Sequence, residues 1–191
     1  MTKPILGILL FSLFVGTLCA ADSRQMLLNF EDSTSFKKWR AVNDGVMGGR
    51  SVGRYRLTDQ KMLEFYGRLS LENNGGFASI RLPANDLELR EGDLLILKLK
   101  GDGRTYNMNL YTQGNLSGFS YRQSFKTLPN KLIEVRMPVE NFVATWRGRV
   151  FPKQRLKPDE VAGLGFFLGD KKEGPFSLQL KSISVERRIK N

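Results

Sequence analysis

Trp39-Arg40-Ala41-Val42-Asn43-Asp44-Gly45-Val46-Met47-Gly48-Gly49-Arg50-Ser51-Val52-Gly53 is the stretch around which the chain is organised. It is too polar and too rich in glycine for a core helix or a long strand. Its Asn-Asp-Gly run calls for tight turns and positive φ angles. Yet it holds Trp39 and Met47, large residues that need burial or a partner. A loop of that mixture has two readings. It plugs the mouth of a barrel or sandwich, with Asp44 capping its own turn. Or it is held out to a ligand, with Trp39 offering a ring face and Asn43 and Asp44 offering acceptors.

The sequence beyond this loop reads as strands. Leu63 and Phe65 alternate with Met62, Glu64 and Tyr66; Ala78, Ile80 and Leu82 alternate with Phe77, Ser79 and Arg81. Leu95, Leu97 and Leu99 alternate with Ile96, Lys98 and Lys100, and Ile133, Val135 and Met137 with Glu134 and Arg136. Such period-two segments have one face in a core and one facing outward. Composition adds strands at Met26–Phe30, Tyr106–Tyr111, Phe119–Phe125, Gly163–Leu168 and Phe176–Val185. In the last of these the apolar phase slips by one residue, which predicts a bulge near Lys181-Ser182. Turn residues separate the strands at Asn73–Gly76, Glu91–Asp93, Gly101–Gly103, Leu128–Asn130 and Gly169-Asp170. Only Ser33–Lys38 and Lys157–Val161 suit a turn or two of helix. The pattern predicts an all-β sandwich of jelly-roll type in a single domain.

Composition narrows the chemistry. The chain has no histidine, and Cys19 is its one cysteine. Ser-His-Asp and Cys-His catalysis and His-ligated zinc are therefore excluded. Lys3, the uncharged run Ile5 to Leu18 and the small residues Cys19-Ala20-Ala21 read as a signal peptide over residues 1–21, with the domain over 22–191. Export to a periplasmic or extracellular space is the expectation that follows, with no stable membrane span once the signal is cleaved. The formal net charge of +11 favours acidic partners. No nucleic-acid-binding motif accompanies that charge.

Two further constellations carry candidate site residues. Gly101-Asp102-Gly103-Arg104-Thr105-Tyr106-Asn107-Met108-Asn109 is a tight turn opening an unusually polar strand, with Asn107 and Asn109 on one face and Tyr106 and Met108 on the other. It offers hydrogen bonds to a peptide or sugar, or else its Asp and Arg pair with each other at the surface. Phe142-Val143-Ala144-Thr145-Trp146-Arg147-Gly148-Arg149 sets two arginines beside a tryptophan. Either arginine suits a carboxylate or phosphate, or pairs internally with Asp44 or Asp102. With Arg81 and Arg122 on polar strand faces, a basic concave face is a further expectation. Nothing sets two of Asp44, Asp102, Glu64 and Glu134 at a glycosidase separation, so no enzyme is expected. No cofactor or metal is expected either; a structural calcium on Glu31 and Asp32 is the one alternative considered.

These blocks resemble the complex I intermediate-associated protein family. The resemblance runs from Phe30-Glu31-Asp32 and Trp39 through Val42–Ser51, Phe65–Ser70, Asn73–Ser79, Gly101–Tyr106, Met137-Pro138, Asn141-Phe142, Arg147–Arg149, Leu164–Phe166 and Gly174–Phe176. It implies a galactose-binding-like jelly-roll β-sandwich, akin to carbohydrate-binding modules, and a role in assembling a protein complex without catalysis. The motif positions it carries over are Trp39, Asn43, Asp44, Met47, Gly48, Gly49, Ser51, Asp102, Arg104, Tyr106, Arg147 and Gly148. The expected function is thus an exported, non-catalytic binding module, an assembly or chaperone-like factor for a protein complex. The alternative is a carbohydrate-binding module for envelope or extracellular glycans. The residues expected to contact the ligand or partner are Trp39, Asn43, Asp44, Met47, Ser51, Asp102, Arg104, Tyr106 and Arg147.

Overall fold

The computed structural model describes residues 23–31, 36–84, 87–112 and 119–187. They form thirteen strands joined by short 3₁₀ turns. In chain order these are β1 (Ser23–Asn29), β2 (Arg40–Asn43), β3 (Val52–Leu57), β4 (Leu63–Leu69), β5 (Ala78–Pro83) and β6 (Leu94–Lys100). They continue with β7 (Thr105–Thr112), β8 (Ser120–Lys126), β9 (Leu132–Pro138), β10 (Val143–Trp146), β11 (Arg149–Val150), β12 (Val161–Leu168) and β13 (Gly174–Arg187). Every strand read from alternation or composition is present. The 3₁₀ turns at Phe36–Lys38 and Pro158–Glu160 fall inside the two short helical segments expected.

The strands make two antiparallel sheets. One has the order β3-β4-β13-β6-β9, with β1 also on β13; the other runs β11-β10-β8-β7-β12-β5-β2. The long β13 organises the first sheet. Its N-terminal half pairs with β4 and its C-terminal half with β1, while β6 lies along its other side. Its register with β6 shifts between Leu180 and Ser182, where the phase slip places the bulge.

Four strands, β2, β3, β10 and β11, escape a reading by periodicity. β2 and β10 have four residues each, too few to display alternation. In β3 the inward set is Gly53, Tyr55 and Leu57, and a glycine at its head hides the pattern. The Trp39–Gly53 stretch is accordingly not one loop. β2 takes Arg40–Asn43 and β3 begins at Val52, leaving only residues 44–51 as the connection.

The core lies between the sheets and is rich in aromatic rings. Trp39 stacks on Phe166 at 6.1 Å, Phe166 meets Phe125 edge-on at 6.3 Å, and Phe125 stacks on Tyr106 at 6.2 Å. Tyr106 then meets Phe65, and Phe65 meets Phe176 at 4.8 Å. This run of rings joins the two inner faces, with Leu63, Ile80, Leu97, Leu178 and Ile183 filling around it. Rings in these stacked and edge-on geometries add to the burial of their area. Among the described residues no helix is long and apolar enough to cross a membrane.

Candidate functional site

At one end of the sandwich the chain crosses between sheets repeatedly, and the crossings are clamped by buried polar groups. Residues 44–51 lead from β2 to β3, and residues 70–77 lead from β4 to β5. Asp44 sits where they meet, with no exposed surface. Its Oδ1 accepts the Ser51 amide at 2.9 Å; its Oδ2 accepts the Ser51 hydroxyl at 2.6 Å and the amides of Gly76 at 2.6 Å and Phe77 at 3.2 Å. Ser51 Oγ also accepts the Ser70 amide at 3.0 Å. Burial pushes the Asp44 carboxyl up, but these donors outweigh it and hold the group below the usual carboxylate range.

The glycines of the signature belong to the same device. A Cβ on Gly49 would lie 2.4 Å from Asp44 Cγ, and one on Gly75 would lie 2.6 Å from its Oδ2. Backbone must therefore come this close for the amides to reach the carboxylate. Asn43 Nδ2 donates to the Gly53 carbonyl at 3.0 Å and closes the base of the connection. Asn73 Nδ2 donates to the Gly48 carbonyl at 3.1 Å, and Arg50 pairs with Glu72 at 2.8 Å. The 3₁₀ turn Asp44–Met47 then lifts Val46 and Met47 to the tip, 75% and 67% exposed.

A second clamp at the same end ties the β6–β7 and β12–β13 crossings. Arg104 grips Asp170 with two hydrogen bonds, Nε to Oδ2 at 3.0 Å and Nη2 to Oδ1 at 2.6 Å. It also donates to the carbonyls of Lys172 and Pro175. Burial pushes the Asp170 carboxyl up, but Arg104 and the Lys172 amide hold it below the usual range. Asp102 accepts the Arg104 amide at 3.0 Å, the Tyr106 hydroxyl at 2.9 Å and the Ser177 amide at 2.9 Å. Burial, then Asp102, push the Tyr106 hydroxyl far above its ordinary range. The expected surface pair of Asp102 with the Arg104 guanidinium does not form. The guanidinium reaches over to Asp170, because the sheet crossings bring residues 66 positions apart together.

The nine expected contact residues thus fall into groups. Asn43, Asp44 and Ser51 make the first clamp, and Asp102, Arg104 and Tyr106 the second. Trp39 is a core residue, 1% exposed, and its ring faces the core. Met47 stands at the exposed tip. Arg147 lies across the molecule, in the β10–β11 turn at the opposite edge of the seven-stranded sheet from β2. The expected internal pairing of Arg147 or Arg149 with Asp44 or Asp102 is not made. Those carboxylates are saturated by donors from their own end, and Arg147 lies over the Trp146 ring at 5.0 Å. The calcium alternative involves Asp32, which lies outside the described residues. Among the described residues no group of three His, Cys, Asp or Glu could hold a metal ion.

The outward face of the seven-stranded sheet carries a row that linear reading does not reveal. Strand register aligns Arg40 with Arg81, Arg81 with Gly165, Gly165 with Asn109, Asn109 with Arg122 and Arg122 with Val143. Arg122 Nε donates to Asn109 Oδ1 at 2.9 Å, and its guanidinium lies 4.1 Å above the centre of the Phe167 ring. Phe77 stacks on Phe167 at 5.5 Å. Arg81 lies over Tyr111 at 5.2 Å, and Asn109 Nδ2 donates to the Tyr111 hydroxyl at 3.1 Å. Burial pulls the Arg122 guanidinium below its ordinary value; Tyr111 raises it and the like charge of Arg81 lowers it.

Comparison with known proteins adds the family. A model of the family described as Complex I intermediate-associated protein 30 (CIA30) matches residues 28–180. The chain belongs to this family. Two curated relatives carry the name Complex I intermediate-associated protein 30, mitochondrial. The one from Mus musculus is 26% identical over 186 residues, covering 86% of this chain and 56% of its own. The one from Drosophila melanogaster is 24% identical over 185 residues, covering 84% and 62%. The chain therefore spans between about half and two thirds of the length of these relatives. Among solved structures, a family 11 carbohydrate-binding module from Clostridium thermocellum, in complex with a β-1,3-1,4-mixed-linked tetrasaccharide, aligns with a TM-score of 0.66 at 13% identity. It covers 90% of this chain and 100% of that one. An agarase aligns at 0.58 and 12% identity over 87% of this chain and 25% of its own. The fold is the galactose-binding-like jelly roll.

The relatives overturn one expectation. A periplasmic or extracellular location does not stand, because the curated members of the family are named as mitochondrial proteins. The physical reason is that an N-terminal apolar run is an address read by a receptor, and composition does not say which receptor. The signal peptide expected over residues 1–21 lies outside the described residues.

Proposed function

We propose that the chain is a non-catalytic binding module that serves the assembly of a protein complex, and that it meets its partner with the tip Val46-Met47. The observation that carries this reading is the contrast between that tip and its support. Two neighbouring apolar side chains stand 75% and 67% exposed on a connection whose backbone is anchored by a buried carboxylate. A loop fixed in advance loses little conformational entropy on docking. Methionine suits such a contact because its unbranched thioether adapts to irregular surfaces. The names of the relatives supply the partner class, an assembly intermediate of respiratory complex I.

Binding without catalysis accords with the chemistry. The chain has no histidine, and Asp44, Asp102 and Glu64 are each engaged by several internal donors. A glycan reading has the fold likeness behind it but, among the described residues, lacks an open tryptophan platform. Trp39 is in the core, and Trp146, 42% exposed, has Arg147 over its ring.

The test is recovery of the tagged full-length chain from its own cells, followed by detection of complex I subunits. Wild type should retain them, and Val46→Asp with Met47→Asp should lose them while melting at the wild-type temperature. Recovery of no complex I subunit with wild type overturns the reading, and retention by the double variant overturns the role of the tip.

A further inference from the structure

Val143, Trp146 and Val150 stand 41%, 42% and 60% exposed on the hairpin of β10 and β11, which ends the seven-stranded sheet. Pairing with β8 stops at Thr145, so Trp146 to Arg149 project past the sheet. Alternation puts Val143 and Val150 on one side of this ribbon and Trp146 on the other. Phe119 lies 6.5 Å from the Trp146 ring, and Phe151 meets Phe119 edge-on at 4.9 Å, which gives the indole a fixed base. Arg147 and Gly148 make the turn with φ of 47° and 78°, the positive values of a type I′ hairpin. Asn, Asp or Gly suit its first position, and an arginine there is held in a conformation that bulky side chains seldom adopt. Such strain points to a use for the side chain at the tip. From Asn141 to Lys157 the sequence holds Arg147, Arg149, Lys153, Arg155 and Lys157 and no acid. Lys157 pairs with Glu160; among the described residues the other four side chains make no hydrogen bond or ion pair.

We propose that the β10–β11 hairpin docks the protein on an anionic lipid surface. Trp146 and Val150 enter the head-group layer, Val143 lies at its rim, and Arg147 and Arg149 bind lipid phosphates. Charge complementarity names the surface. Four unpaired cations on one connection call for anions, and a guanidinium binds phosphate oxygens in bidentate fashion. Shape separates lipid from protein. A rigid partner covers one side of a projecting ribbon, whereas a fluid interface closes around both, and here both sides carry apolar groups. The residue types suit that depth. Indole rings settle where head groups meet chains, and an arginine lays its stem along apolar surface while its charge stays in the wet layer. Arg147 already lies over the Trp146 ring in that manner. Register sets the hairpin at the strand ends opposite the clamps, since Ser120 pairs with Thr145 while Lys126 pairs with Thr105. A docked chain therefore keeps Val46 and Met47 on the side away from the lipid. The inference goes beyond the assembly reading and does not depend on it.

Fluorescence of the full-length chain tests this with vesicles of phosphatidylglycerol and phosphatidylcholine in equal parts, against vesicles of phosphatidylcholine alone. Trp39 is buried in the core, so a quencher carried by the lipid reports on Trp146. Anionic vesicles should shift the Trp146 emission to the blue, and bromine placed near the top of the acyl chains should quench it; neutral vesicles should do neither. Arg147→Gln with Arg149→Gln should weaken binding about thirtyfold, about fivefold for each charge. Arg54→Gln with Arg68→Gln, the same change of charge on the six-stranded sheet, should weaken it less than about threefold at physiological salt. The quenching of wild type stands as a readout even if the Arg147, Arg149 variant does not fold. Vesicle binding without quenching of Trp146, equal weakening by the two arginine pairs, or equal binding to neutral vesicles would overturn the site. Loss of complex I subunits by Trp146→Asp, with no vesicle binding by wild type, would make the hairpin a protein contact and overturn the lipid. The Val46→Asp, Met47→Asp variant should bind vesicles as wild type does. Vesicle binding by wild type with no complex I subunit recovered from cells leaves the hairpin standing and removes the proposed assembly role.

Discussion

Asp44 and Arg122 are two sheltered charges treated differently, one at the clamped end of the sandwich and one on its seven-stranded face. The Asp44 carboxylate accepts four hydrogen bonds from its own chain and keeps its charge against burial. The Arg122 guanidinium is held by one hydrogen bond and one ring, and its terminal nitrogens remain open. A charge saturated from within serves the fold, because its donors are then also satisfied. A charge that the fold orients but does not saturate costs desolvation without full return. The signature motif of the family therefore reads mainly as architecture, with Val46 and Met47 as the part it displays.

The largest effect that would sharpen this contrast belongs to Trp39, which enters the core just before the clamped connection. Trp39→Ala should cost about 3–5 kcal/mol in urea unfolding, as for other large core truncations. A near-neutral result would show that the segment is not architecture. Asp44→Ala comes next, at about 3 kcal/mol, since it strands the buried amides of Ser51, Gly76 and Phe77 without an acceptor.

Acid should act on the same group. The folded Asp44 carboxyl lies below its unfolded value, near 3.8, so its contribution is fully present above about pH 4–5 and is lost as pH falls through the folded value. Unfolding free energy measured from pH 6 down to pH 2 should fall more steeply for wild type than for Asp44→Asn. Parallel curves would break the assignment.

Arg122 should behave in the opposite sense. Arg122→Met, which keeps the packing on Phe167 and removes the charge, should change stability by no more than about 1 kcal/mol and in either direction. A loss as large as that of Asp44→Ala would make Arg122 a structural charge and erase the comparison. The smallest effect is expected at the tip: Met47→Asp should lie within about 0.5 kcal/mol of wild type, because a surface side chain without partners has little to lose.

Much of the fold was legible because strands report their burial through alternation, as β4, β5, β6 and β9 do, or through a run of apolar and aromatic residues, as in β12. Even the bulge in β13 showed itself as a slip of phase between Leu180 and Ser182. Four-residue strands such as β2 and β10 carry too little pattern, and β3 hides its own behind Gly53. Residues of the two clamps stood out as polar and glycine-rich islands. Their partners did not, because Gly76 and Phe77 lie 32 and 33 residues beyond Asp44, and Asp170 lies 66 beyond Arg104. Arg81 and Arg122 could be assigned to polar strand faces from alternation alone. That they share one row with Arg40 and Gly165 could not.

By itself, then, the sequence determined the all-β class, the jelly-roll pattern, the family, and the absence of histidine chemistry. These depend on residue type and on local spacing, which a linear chain displays in full. Tertiary structure alone decided that Asp44 is a clamp, that Trp39 faces inward, and that Arg122 lies over the Phe167 ring with its Nε on Asn109. Those properties depend on which strands become neighbours and in what register, and that is set by burying all the apolar faces of the chain at once.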